Sequence, residues 1–213
     1  MCGIVGSYNF DIPIDDFLAS QMHRGPDFVG SETHLLPHGK ILQLGHNRLK
    51  IICLSDEANQ PFKNASRSGY LVFNGEIYNY RELKIELERE GVCFQTTSDT
   101  EVLFHVLHHW GIDGIQRCNG MFAFAYFDTR DNTLLLGRDR FGVKPLYYYL
   151  DNQRLIFSST SAPVAKHCGL LPDFMYLKQG LQYGVYEDAS SRTAYKNLHA
   201  VPAGHVLQFN LLE

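Results

Sequence analysis

The chain is 213 residues long, with 45% apolar and 20% charged side chains. That is ordinary globular usage and excludes a disordered tail, a collagen-like fibre and a coiled coil. Nineteen basic against 23 acidic side chains leave a net charge of −4, so no basic footprint for nucleic acid exists. No apolar run approaches the roughly 20 residues that span a membrane, and no charged segment followed by an apolar stretch opens the chain as a signal peptide would. A soluble cytoplasmic protein is expected. With no internal repeat, no low-complexity tract and no linker longer than a loop, residues 1–213 read as one domain.

Short β-branched and aromatic runs predict strands over Gly3–Tyr8, Ile41–Gly45, Tyr70–Phe73, Val92–Thr96, Met121–Asp128, Thr133–Gly137, Leu146–Leu150 and Leu155–Ser158. The dipeptides Asn74-Gly75 and Asn119-Gly120 read as turns. Helices are expected over Tyr80–Glu90, Thr100–Trp110 and Pro172–Gln182; Val102, Leu103, Val106 and Leu107 form one apolar face of the second. Ser98 and Glu101 have the spacing of a capping box at its start. Residues 129–158 read as an antiparallel meander. The pattern as a whole is α+β, with antiparallel sheets and helices on their outer faces.

The five cysteines stand at 2, 53, 93, 118 and 168. Their odd number and wide spacing exclude a disulfide framework and a zinc ribbon. Cys53, Cys93, Cys118 and Cys168 are expected to pack as small hydrophobes. Cys2 is different, because removal of Met1 would leave it as the terminal residue. A terminal cysteine carries a thiol with pKa near 8.5 and an amine with pKa about 7.7–8.0. The amine can take the thiol proton, so nucleophile and base arrive together. His105, His108 and His109 share a predicted helix, with no acidic residue recognised at a matching spacing; they read as a solvated face, and no metal site is expected.

A series of motifs raises the terminal cysteine above chance. They are Met1-Cys2-Gly3-Ile4, His23-Arg24-Gly25-Pro26-Asp27, Asn47-Arg48-Leu49, Gln60-Pro61, Asn74-Gly75-Glu76-Ile77-Tyr78-Asn79 and Ser98-Asp99-Thr100-Glu101. Asn119-Gly120-Met121-Phe122, Gly137-Arg138-Asp139, Gly142, Lys144-Pro145-Leu146-Tyr147 and Pro202-Ala203-Gly204-His205 follow in order. The chain resembles the class II glutamine amidotransferase domain of the N-terminal-nucleophile hydrolases, most of all that of glutamine-dependent asparagine synthetases. The resemblance implies a four-layer αββα sandwich with two antiparallel sheets. It also implies L-glutamine as substrate, hydrolysed to glutamate and ammonia through a glutamyl thioester on Cys2.

By the same resemblance, the Asn74 side chain and the Gly75 N–H form the oxyanion hole, with Gly75 in a positive-φ turn. Arg48 grips the substrate α-carboxylate and Asp99 accepts its α-ammonium. Glu76 supports the site, and His23, Arg24, Gly25, Pro26 and Asp27 form a supporting loop, read equally well as a rigid turn closed by an Arg24–Asp27 pair. Arg138, Asp139 and Arg140 read as structural ion pairs.

The sequence departs from the family pattern at Lys50-Ile51-Ile52-Cys53, where Ser-Ile-x-Asp is usual, which places an extra ammonium beside Arg48. It departs again at Thr160-Ser161-Ala162-Pro163-Val164, a segment that faces the synthetase side in the family. Asparagine synthetases carry an ATP-pyrophosphatase domain with a Ser-Gly-Gly-x-Asp-Ser phosphate loop, and these 213 residues contain no such loop. The glutaminase step is expected to need no cofactor; ATP and Mg belong to a synthetase domain or separate synthetase subunit, the expected partner, and an oligomer is compatible with this. Two alternatives stand beside this reading: a glutaminase of the glucosamine-phosphate or phosphoribosylamine type, and a non-catalytic binding or regulatory module with the same fold.

Overall fold

The computed structural model describes residues 1–184, 186 and 191–212. Its strands are β1 (Gly3–Tyr8), β2 (Phe28–Leu35), β3 (Ile41–Arg48), β4 (Phe62–Lys63), β5 (Gly69–Ile77), β6 (Gly120–Asp128), β7 (Thr133–Arg138), β8 (Tyr147–Asp151), β9 (Arg154–Ser158), β10 (Leu198–Ala200) and β11 (Val206–Asn210). Its helices are α1 (Ile14–Ser20), α2 (Tyr80–Arg89), α3 (Asp99–His105), the single turn α4 (Gly111–Gly114), α5 (Ser161–His167) and α6 (Phe174–Tyr183). The strands form two antiparallel sheets, ordered β10-β8-β9-β1-β3-β2 and β11-β7-β6-β5-β4.

Strand alternation sends neighbouring side chains to different layers. Ile4 of β1, Val72 of β5 and Ala125 of β6 join the core between the sheets. Their neighbours point outward: Val5 packs with Phe17 and Leu18 of α1 and Val164 of α5, and Phe73 and Phe124 pack with Leu83 and Leu87 of α2 and Leu103 and Phe104 of α3. Three apolar interfaces therefore stack four layers, helix–sheet–sheet–helix. This is the αββα sandwich expected from the motifs.

Several local expectations need correction. Val92–Thr96 forms no strand, because its polar backbone groups are engaged elsewhere: the Val92 N–H bonds the Leu87 carbonyl, and the Gln95 and Thr96 N–H groups bond the Glu101 carboxylate. The same carboxylate undoes the capping box. Ser98 Oγ accepts from Thr100 N at 3.1 Å, but Glu101 reaches back to residues 95 and 96 rather than to the Ser98 N–H. Asn74-Gly75 is no turn; both lie inside β5, opposite Ala123 and Phe122. Asn119-Gly120 leads directly into β6. Residues 129–158 are not one meander, since β7 joins one sheet while β8 and β9 form a hairpin in the other.

The helix expected over Thr100–Trp110 is α-helical only to His105, then continues as a π-helical turn over Val106–Trp110. Its histidines are not a uniformly solvated face. His105 is buried, with Glu101, an acidic residue four positions earlier that the spacing argument overlooked, 3.8 Å away. His108 bonds the Tyr126 hydroxyl at 2.8 Å, and only His109 is exposed. Cys93 is exposed instead of packed. Strands β2, β4, β10 and β11 and helices α1 and α5 carried no recognised signal.

Candidate active site

Four segments converge where β1 begins, β3 and β5 end, and α3 starts. A cavity of about 80 Å³ there is lined by Cys2, Arg48, Asn74, Gly75, Glu76 and Asp99, among others. These are the six residues assigned to catalysis and substrate binding from the sequence. The His23–Asp27 loop does not line it but buttresses it.

Cys2 precedes β1, and the strand's pairing with β3 sets its thiol beside the residue that follows Arg48. Cys2 Sγ lies 3.3 Å from Leu49 N, which donates to it. Burial pushes the thiol pKa up; the Leu49 N–H, the terminal ammonium and Arg48 oppose that shift, and Asp99 adds to it. Met1 is half-exposed and also lines the cavity.

Asn74 is 1% exposed, and its Nδ2 has no hydrogen-bond partner among the described residues. An unmet buried donor costs about 1–3 kcal/mol, so this amide is a standing site for an acceptor. Gly75 is required for a reason other than positive φ. A Cβ there would lie 2.3 Å from the Met121 carbonyl oxygen and 2.6 Å from Phe122 Cα, so only glycine lets β5 approach β6 this closely. Behind Asn74, the fully buried His46 bonds the Phe73 carbonyl at 3.0 Å through Nε2 and ties the two sheets together. Burial lowers its pKa to about 3, so the imidazole is neutral.

Arg48 is 5% exposed. Its guanidinium donates to Ser55 O at 2.8 Å, Asn59 Oδ1 at 2.5 Å and Cys53 O at 2.6 Å. It therefore clamps the loop that follows β3, while the residue also lines the cavity. The extra ammonium of Lys50 is neutralised locally by Asp56 at 2.7 Å.

Asp99 opens α3, and its Oδ2 accepts the Ile77 N–H at 3.1 Å, fixing the helix start against the end of β5. Burial raises its pKa to about 6, with the neighbouring Glu76 adding to the rise and the Ile77 and Thr100 N–H groups opposing it. Glu76 lines the cavity and makes no side-chain hydrogen bond with the described residues.

In the supporting loop, Arg24 and Asp27 do not pair with each other. Arg24 Nε bonds the Cys2 carbonyl at 3.0 Å, and Asp27 accepts the Lys50 N–H at 2.8 Å. Gly25 passes so close to β3 that a Cβ would meet Asn47 O at 2.4 Å. Pro26 follows that contact, and His23 sits in the short 3₁₀ turn Met22–Arg24. The loop thus braces both the segment carrying the thiol and the one carrying Arg48. Asp139 likewise organises backbone rather than pairing with a neighbouring arginine: its carboxylate accepts the N–H groups of Phe122, Phe141, Val143 and Lys144.

A thiol, an unpaired amide donor, a fixed guanidinium and two carboxylates in one small cavity suit a zwitterionic amino acid with an amide side chain. The chain matches the glutamine amidotransferase domain family over residues 1–212. The chain belongs to that family. The amidotransferase domain is 39% identical over 168 residues to asparagine synthetase [glutamine-hydrolyzing] 1 of Bacillus subtilis, covering 75% of this chain and 26% of that protein. To asparagine synthetase [glutamine-hydrolyzing] 2 of the same organism it is 32% identical, over 99% of this chain and 29% of that protein. It thus spans between a quarter and a third of the length of these relatives. A solved glutamine phosphoribosylpyrophosphate amidotransferase from B. subtilis, complexed with ADP and GMP, superposes with a TM-score of 0.69 at 19% identity, over 98% of this chain and 47% of that one. That likeness shows a shared fold, while the sequence likeness identifies an amidotransferase domain of the asparagine synthetase type.

The cavity also contains residues for which sequence reasoning gave no role. Gln60 bonds Phe73 N at 2.6 Å and Thr100 Oγ1 at 3.3 Å, linking β5 to α3. Leu49 contributes a backbone N–H, which no residue type advertises. Lys144 also lines the cavity; it stands within a recognised motif, but nothing in the motif assigns its side chain.

Proposed function

We propose that this domain hydrolyses L-glutamine to L-glutamate and ammonia through a thioester on Cys2. The Cys2 sulfur attacks the side-chain amide carbon, the developing oxyanion is taken by the Asn74 Nδ2–H and the Gly75 N–H, and the C–N bond breaks as the nitrogen accepts a proton and leaves as ammonia. Water then attacks the thioester carbon, releasing glutamate and restoring the thiol. Arg48 holds the α-carboxylate and Asp99 the α-ammonium, with Glu76 beside it. The proton acceptor is the α-amine of Cys2 once Met1 has been removed, which also clears a residue from the cavity wall.

The observation that carries this reading is the buried, unpartnered Asn74 amide in the same cavity as the Cys2 thiol. A purely structural Asn at 1% exposure would be hydrogen-bonded; a preorganised oxyanion donor is not, until the intermediate forms. The ammonia is delivered to a synthetase domain or subunit of the asparagine synthetase type in the cytoplasm, where ATP and Mg activate the acceptor carboxylate; the glutaminase step uses no cofactor. Mass spectrometry of acid-quenched turnover tests the covalent step: a glutamyl adduct on the Cys2 peptide is expected, and steady turnover with no adduct on Cys2 would overturn it.

A further inference from the structure

Lys144 is 7% exposed, and its ammonium makes no hydrogen bond or ion pair with any described residue. The Lys144 Nζ is not sealed from solvent, and the residue lines the cavity that holds Cys2, Asn74 and Gly75. Its backbone hydrogen bonds show which side of the cavity the residue stands on. Asp139 Oδ2 accepts both Lys144 N, at 3.0 Å, and Phe122 N, at 3.1 Å. Phe122 is the cross-strand partner of Gly75. Lys144 therefore stands on the Asn74–Gly75 side, held there by the β6–β7 framework, whereas Arg48 and Asp99 come from the end of β3 and the start of α3.

We infer that Lys144 is a specificity-determining residue that reads the charge at the side-chain end of the ligand, forming the subsite for the γ-carboxylate of product glutamate. This rests on the glutamine reading above. Glutamine and glutamate share the same α-carboxylate and α-ammonium and differ only at the γ-group. An unpaired cation near that group is indifferent to a neutral amide and favours a carboxylate. The other charged groups of the cavity, Arg48, Glu76 and Asp99, do not serve that end: Arg48 is tied to the loop after β3, and the two carboxylates repel an anion. Lys144 thereby retains the product, and its charge sets how strongly glutamate competes with glutamine.

Titration calorimetry with L-glutamine and L-glutamate, in a Cys2→Ala background so that neither ligand is consumed, tests the inference. Lys144→Met and Lys144→Gln should each weaken glutamate binding about tenfold or more beyond any change in glutamine binding, as loss of one charge-assisted contact predicts. Lys144→Arg should restore the preference. Equal weakening of both ligands, or no change in either, would overturn the inference. Glutamate binding without glutamine binding in the Lys144-containing protein would instead overturn the glutamine reading.

Discussion

Replacing Asp99 with Asn separates the electrostatic cost of the site from its use. The carboxyl is 5% exposed and titrates at about 6 instead of 3.8, chiefly because burial disfavours its charge. Each tenfold change in an ionisation equilibrium corresponds to about 1.36 kcal/mol, so titration at about 6 makes the ionised group cost at most about 3 kcal/mol. The sign follows from proton counting. Between pH 3.8 and about 6 the folded chain holds a proton that the unfolded chain has released, so this contribution to stability falls as pH rises through the window and levels off above it. Asp99→Asn keeps an oxygen for the Ile77 N–H and removes the charge. The variant should be more stable than the parent at pH 7, by up to about 3 kcal/mol, and close to it at about pH 4. Urea denaturation of both proteins across pH 4–8 measures the difference directly. L-glutamine should raise the midpoint of the parent above pH 6 and leave that of Asp99→Asn unmoved, because the α-ammonium has lost its counter-charge. Parallel stability profiles for the two proteins would refute the reasoning.

Asn74→Ala should lower kcat for glutamine hydrolysis by about 10²–10³, the usual worth of one oxyanion donor. Its denaturation midpoint should not fall, because the variant removes a buried donor that makes no hydrogen bond in the folded state. Gly75→Ala pushes a methyl into the Met121 carbonyl and should cost about 1–3 kcal/mol or more of stability by overpacking, read by thermal melting. Glu101→Ala removes the acceptor of the Gln95 and Thr96 N–H groups and the Thr96 hydroxyl; a loss of roughly 3 kcal/mol is expected in urea melts.

The long elements and the residues that line the cavity are legible because their signals are local. β1, β6 and β7 are almost continuous apolar runs buried on both faces, as strands inside a four-layer sandwich must be. β2 escaped notice because it is an edge strand alternating between half-buried and exposed positions, with Gly30, Ser31, Glu32 and Thr33 at its centre. Helix α1 has only seven residues, and its apolar positions Ile14, Phe17 and Leu18 amount to a single helical contact face. Asn74-Gly75 was misread because the dipeptide has two uses: it forms a tight turn in isolation, but here the missing Cβ permits close strand approach. The Val92–Thr96 segment has strand composition, yet a carboxylate six residues beyond Gln95 captured its amides first. The motifs contain six residues that the fold brings to one cavity, whereas the Leu49 N–H and the Lys144 side chain depend on tertiary placement that spacing does not encode.

The central claim is that the thiol and the amine of one residue act together. Glutamate release from L-glutamine should therefore be measured for the chain beginning at a free Cys2, for Cys2→Ala, and for a form in which Met1 is retained. Activity is predicted only in the first, rising with pH as an amine with pKa near 8 loses its proton. Equal activity in the form that keeps Met1 would contradict the account.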